Sequence, residues 1–86
     1  MIQSALVQKA IKAAMSSEWD SAIELNQQLL EQNPQDLESL NRLARAYLEL
    51  GDIAKSKKTY KEVLTLDPYN VIALKNVKRF QSIKGS

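Results

Sequence analysis

The chain has 86 residues, 44% hydrophobic and 26% charged, with a net charge of +2, the proportions of one small globular domain. It contains neither cysteine nor histidine, which excludes disulfides, thiol and imidazole catalysis, and the common zinc ligand sets. No run approaches the roughly 18 apolar residues of a membrane span. Gln3, Gln8, Lys9 and Lys12 interrupt the N-terminal stretch where a signal peptide would be continuously apolar, so no membrane partner is expected and the expected address is cytoplasmic.

Five amphipathic segments follow one another. The first, over residues 3–15, sets Leu6, Ala10 and Ala13 at helical spacing, and Val7, Ile11, Ala14 and Met15 widen its apolar surface into a broad arc. The second, over 18–32, follows Ser16-Ser17, with Ser17 the expected N-cap and Asp20 three residues on. QNPQD at 32–36 stops it, and Asp36 is placed to cap a third helix over 37–50 with the stripe Leu40, Leu43, Ala44, Tyr47. Gly51-Asp52 supplies a left-handed stop and then an N-cap for a fourth helix over 53–66. LDPYN at 66–70 ends that helix, and Asn70 can cap a fifth over 71–83. Charge is distributed unevenly: residues 1–36 hold two lysines and five acids, whereas 71–86 hold Lys75, Lys78, Arg79 and Lys84 and no acid.

The two proline turns, at Pro34 and Pro68, define an interval of thirty-four, and many other positions recur at it. Trp19 falls on Ile53, Ala22 on Ser56, Asn26 on Tyr60, Leu29 on Val63 and Leu30 on Leu64. Leu6 falls on Leu40 and Leu74, Ala10 on Ala44, and Ala13 on Tyr47. The unit is two amphipathic helices and a proline turn, and a period of this length is the mark of a repeat architecture.

Segment 37–70 closely resembles a tetratricopeptide repeat: Leu40, Leu43, Ala44, Tyr47, Gly51, Tyr60 and Pro68 stand where that family places its large, small and turn residues. Segment 3–36 is similar to a second, degenerate copy, and 71–84 to the first helix of a third unit, a capping helix. The resemblance implies a single all-α domain, a right-handed superhelix of helical hairpins with five helices and roughly two and a half repeats. The sequence departs from the pattern at Lys9, Ala13, Ser56, Lys78 and Gln81. Lys78, in place of a small residue, fits a fifth helix that ends the stack, and Lys9 fits an outer helix whose lysine stem lies along the surface.

The resemblance further implies that the first helix of each unit lines a concave groove. The expected inner surface is Ser4, Val7, Gln8, Ile11, Ala14 and Met15 from the first helix, Glu38, Asn41, Arg42, Arg45, Leu48 and Glu49 from the third, and Ile72, Lys75, Asn76, Arg79 and Ile83 from the fifth. The basic and amide members suit an acidic peptide or a free carboxylate, because guanidinium groups grip carboxylates with two parallel hydrogen bonds. Val7 and Ile11 stand where some family members supply basic or amide side chains, so their full carboxylate clamp is absent. Glu38–Arg42 and Arg45–Glu49 also have the i,i+4 spacing of ion pairs on a solvated face, and that reading stands beside the first.

KSKKTYK at 55–61 and the basic tail invite a nucleic-acid reading. They lack a stacking platform beyond Tyr60, and a solvated convex face accounts for them better. Trp19 and Phe80 read as packing anchors and Tyr69 as an exposed turn residue. No nucleophile has a base beside it and there is no glycine-rich loop, so neither enzyme activity nor a cofactor is expected. The expected function is protein–protein interaction, with a peptide or helix docked in the groove. The alternative is self-association into a homodimer, because fewer than three repeats bury a continuous core poorly and neither end shows an obvious polar cap.

Overall fold

Residues 2–85 of the backbone and residues 4–81 of the side chains are described by a computed structural model. Among them are five α-helices: α1 (Ile2–Met15), α2 (Trp19–Gln32), α3 (Leu37–Glu49), α4 (Ile53–Leu66) and α5 (Val71–Gly85). Ile83, expected on the groove, lies outside the described side chains. Each helix packs on the next in the chain, α1 on α2 through α4 on α5, with the most extensive contact between α3 and α4. The domain is a slab with principal extents of 44 × 26 × 17 Å.

Two kinds of turn alternate. After α2 and α4 the chain passes through Asn33-Pro34 and Asp67-Pro68. The residue before each proline is extended (φ −144° and −141°), as the proline ring requires. Asn33 and Asp67 then each accept a hydrogen bond from the backbone two residues on, at 3.2 and 3.4 Å, closing an Asx turn. After α1 and α3 the chain makes a left-handed stop. Glu18 N–H reaches back to the Ala13 carbonyl at 2.8 Å, and Asp52 N–H to the Tyr47 carbonyl at 2.9 Å, the long back-bond of a Schellman end.

That parallel corrects one expectation. Ser17 is not the N-cap of α2; Glu18 occupies that place and makes no side-chain cap bond. Ser17 stands one repeat before Gly51 and shares its conformation, with φ +57° against +87°. The other caps form as expected at Asp52, whose Oδ1 accepts from Lys55 N–H at 3.1 Å, and at Asn70, whose Oδ1 accepts from Ala73 N–H at 3.1 Å. Asp36 sits at the N-cap of α3 but gives its carboxylate to the Ser39 hydroxyl at 2.7 Å.

The core follows the register of the repeat. Leu40, Ala44, Tyr60, Val63, Ala73 and Phe80 form the main cluster, joined by Leu30, Leu37, Leu48, Leu64 and Val77. Tyr60 and Phe80 pack at a centroid distance of 6.1 Å with their rings tilted by 45°. A smaller cluster of Ala13, Ala22 and Ala46 joins α1, α2 and α3, flanked by Trp19, Ile23 and Leu25. Ser56, an alanine-like position, is fully buried and donates its hydroxyl to the Ala44 carbonyl at 2.7 Å.

The two ends of the stack differ, which corrects the expectation that neither has a polar cap. On α3 the side turned to α2 includes Arg42, bonded to Asn26, and Ala46, packed on Ala22. The equivalent α1 positions, Gln8 and Lys12, are exposed, as is Lys9 beside them. The free side of α1 is therefore polar and carries Gln8, which is expected on the inner surface but stands one repeat before the α2-facing Arg42, and the apolar arc faces inward. On α5, Val71, Ile72 and Leu74 are exposed beside Lys75, Lys78 and Arg79.

Two stability outcomes test this account. A Cβ on Gly51 would meet no atom within 4 Å, so Gly51→Val acts through the backbone alone and should destabilise by about 1 kcal/mol or more. Ser17→Gly should stabilise by about 1 kcal/mol; urea midpoints moving in opposite directions for the two variants check the assignment. Burial pushes the Tyr60 hydroxyl above its ordinary 10.0, with Arg45 and Arg79 offsetting part of the rise and Glu49 adding to it. A raised folded-state value contributes stability that is intact below the unfolded pKa and is lost as pH climbs through the folded one. Tyr60→Phe should therefore flatten the stability loss above about pH 10 relative to the parent, as read from urea midpoints across that range.

Candidate functional site

Between α1 and α3, at the end of the helices where α1 turns into α2, lies a cleft of about 410 Å³ lined by Ile11, Ala14, Met15, Ser17, Trp19, Arg42 and Arg45. The left-handed turn at Ser17 reverses the chain and sets Trp19 against the last turn of α1. Trp19 is half-buried; it packs against the alanine cluster and lines the cleft. Arg45 lays its guanidinium over that ring, 5.7 Å from the centroid, a cation–π contact that holds the charge at the cleft wall. Met15 is 82% exposed and Ile11 38%, so two flexible apolar side chains face the same space. Beyond Trp19 a shallower depression of about 310 Å³ is acidic, lined by Glu18 and Asp20 with Ser17, Trp19, Ser21 and Leu50.

Arg42 has a different situation. Its Nε donates to Asn26 Oδ1 at 2.9 Å, one terminal nitrogen to the Ser39 hydroxyl at 3.2 Å, and the other lies 3.9 Å from Glu38. Ser39 in turn donates to Asp36, and the amide of Asn26 donates to the Ala22 carbonyl at 2.8 Å. The guanidinium thus closes a buried polar chain from α2 to the start of α3, and its side chain is 19% exposed. It forms part of the cleft wall while two of its donors are bonded to Asn26 and Ser39.

The remaining expected residues are spread along the inner side. Val7 is half-buried one turn before Ile11. Asn41 is buried; it donates to Asn70 Oδ1 at 3.3 Å, and its own Oδ1 finds no hydrogen-bond partner among the described residues. Asn76 donates to the Ile72 carbonyl of its own helix at 2.8 Å. Lys75 and Arg79 are exposed on α5 and do not line the cleft. The lysines of 55–61 sit on exposed or half-buried positions; Lys55 pairs with Asp52 at 3.9 Å and lies over Tyr47 at 5.6 Å.

Two residues of this region were not singled out for the site by sequence reasoning. Trp19 reads as a packing anchor, and in the structure it also lines the cleft. Asn26 stands one repeat before the buried Tyr60. An amide in a core position needs partners, and that signal points toward Arg42. Among the described residues no group of three metal-ligating side chains comes together, and no helix is long and apolar enough to cross a membrane.

Comparison with known proteins gives one consistent result. The sequence profile described as tetratricopeptide repeat matches residues 13–79. A protein of Emericella nidulans described as a probable assembly chaperone of rpl4 is 34% identical over an aligned length of 67 residues, covering 73% of this chain and 18% of the relative. The chain thus spans less than a fifth of that relative's length. A solved structure described as the first tetratricopeptide domain of Spaghetti (RPAP3) bound to the HSP90 peptide SRMEEVD superposes with a TM-score of 0.63 at 17% identity. It covers 98% of this chain and 94% of that one, a likeness of fold.

Removing the fully buried Asn26 amide leaves the half-buried Arg42 Nε–H without its acceptor. Asn26→Ala should destabilise by about 1–3 kcal/mol. The double variant with Arg42→Ala should cost less than the sum of the two single changes, as measured by urea denaturation in a double-mutant cycle.

Proposed function

The chain belongs to the tetratricopeptide repeat family, and from that membership we propose that it is a non-enzymatic protein-interaction module whose groove takes a peptide or helix. The observation that carries this reading is the cleft between α1 and α3. Ile11, Ala14 and Met15 form an apolar floor, and Trp19 with Arg45 forms a wall that is flat, aromatic and positively charged. Such a surface suits a short segment with one apolar side chain and a nearby carboxylate. The apolar group replaces water over Met15 and Ile11, and the carboxylate takes the forked donors of Arg45 while the guanidinium keeps its place over the indole. Lys75 and Arg79 extend the positive potential along α5 and favour further acidic residues in the ligand. The neighbouring fold is described as bound to the HSP90 peptide SRMEEVD and the fungal relative as a probable assembly chaperone of rpl4, and both descriptions agree with a protein partner.

Arg42 has a positioning role in this reading. Two of its donors are bonded to Asn26 and Ser39, so it ties α2 to α3, while Arg45 meets the ligand.

Trp19 is the only tryptophan in the chain and reports directly on the cleft. Its fluorescence should change on titration with acidic, apolar-containing peptides and not with basic ones, and the response should weaken as ionic strength rises. Arg45→Ala should lower affinity by about tenfold, the loss of one charge-assisted contact. Because that change also alters the indole's surroundings, anisotropy of a labelled peptide is the second readout. Unchanged anisotropy would reject the assignment.

A further inference from the structure

The chain contains two methionines and no cysteine, so its sulfur chemistry is confined to thioethers. Met1 lies outside the described residues. Met15 ends α1 and is 82% exposed, on the floor of the cleft that Trp19 and Arg45 wall. One repeat later the same position holds Glu49, which is also exposed. The position is therefore solvated in both units, and the packing of α1 on its neighbours runs instead through the buried Ala13. The thioether has a role only when something covers it.

We propose that Met15 is a site of reversible oxidation to the sulfoxide by hydroperoxides, and that the oxidised cleft no longer holds its ligand. The inference rests on the peptide-docking reading of this cleft. A lone pair on the Met15 sulfur attacks one oxygen of the hydroperoxide. The S–O bond forms as the O–O bond breaks, and the other oxygen leaves as water or an alcohol, taking the proton of the attacked oxygen. Sulfur is oxidised by two electrons and the peroxide is reduced by two. This attack needs an open approach to the sulfur, which the exposure of Met15 gives, and no thiol in the chain competes for the oxidant.

Oxidation turns a flexible apolar side chain into a polar one. The ligand's apolar group gains by replacing water over Met15 and Ile11. Over the sulfoxide it strips water from an S–O group and returns no hydrogen bond, which opposes docking. The new oxygen is also an acceptor, and Arg45 in the same cleft carries the forked donors that a ligand carboxylate uses. Both effects weaken the same ligand, and neither reaches the core.

The probe is a labelled acidic peptide with one leucine and no methionine. Its anisotropy is titrated with the chain before and after hydrogen peroxide treatment, the peroxide being removed with catalase. Mass spectrometry should place one added oxygen on Met15. The affinity should fall by about tenfold or more, and reductases for both sulfoxide epimers, supplied with a dithiol, should restore it. The urea midpoint should not move, because the sulfur is exposed. Met15→Leu removes the oxidisable atom, so its affinity should be the same before and after peroxide. Binding that survives oxidation of Met15 would overturn the inference and leave the docking reading intact, whereas no binding to the untreated chain would remove both. A loss that persists in Met15→Leu would assign the effect to another group, and a loss with a lower urea midpoint would assign it to the fold. Either result would overturn the proposal, as would a Met15 that stays a thioether under peroxide.

Discussion

Where α3 crosses α4, Ser56 donates its hydroxyl to the carbonyl of Ala44, and neither residue has exposed surface. This contact sets the distance between the two helices that share the most extensive interface in the domain. A branched or longer side chain at either position would force the axes apart, and overpacking of this kind costs about 1–3 kcal/mol. With the separation fixed, Leu40, Tyr60 and Val63 fill the space on one side of the crossing, and Phe80 carries the packing on to α5. Ala13, Ala22 and Ala46 do the same for α1, α2 and α3. The small residues thus determine spacing, and the large ones fill what the spacing leaves.

The close packing also explains how charge is partitioned over the inner surface. Arg42 and Arg45 are separated by less than one helical turn, yet they serve different ends. Arg42 points toward α2 and completes a buried chain through Asn26, Ser39 and Asp36. A half-buried guanidinium is tolerated where acceptors meet the donors it turns inward, and here α2 and α3 supply them through Asn26 and Ser39. Arg45 points away from that seam and rests on Trp19, where the indole face stabilises its charge while leaving forked donors available. The rigidity given by the first arginine supports the recognition attributed to the second.

The first and last helices present different faces. On α1, Gln8, Lys9 and Lys12 are exposed. On α5, Val71 and Leu74, one repeat after Leu37 and Leu40, are exposed among the described residues. A solenoid stabilises each repeat through its neighbours, and α5 draws its packing from α4 through Ala73, Val77 and Phe80.

Much of the architecture is legible in the sequence because it depends on local rules. The helix boundaries come from apolar spacing, the proline turns from Pro34 and Pro68, and the left-handed stop from Gly51; each is enforced by backbone sterics that act within a turn or so of chain. The repeat interval then locates the core, since equivalent positions face equivalent neighbours. Ser17 misleads because serine is a common N-cap, although the same interval places it on Gly51, whose positive φ it shares. What only the tertiary structure decided is where long polar side chains go. Nothing local distinguishes Arg42 from Arg45, or assigns Asn41 to Asn70 and Trp19 to a cleft wall. Those outcomes depend on acceptors and surfaces that other helices bring near, and a flexible side chain takes its conformation from them.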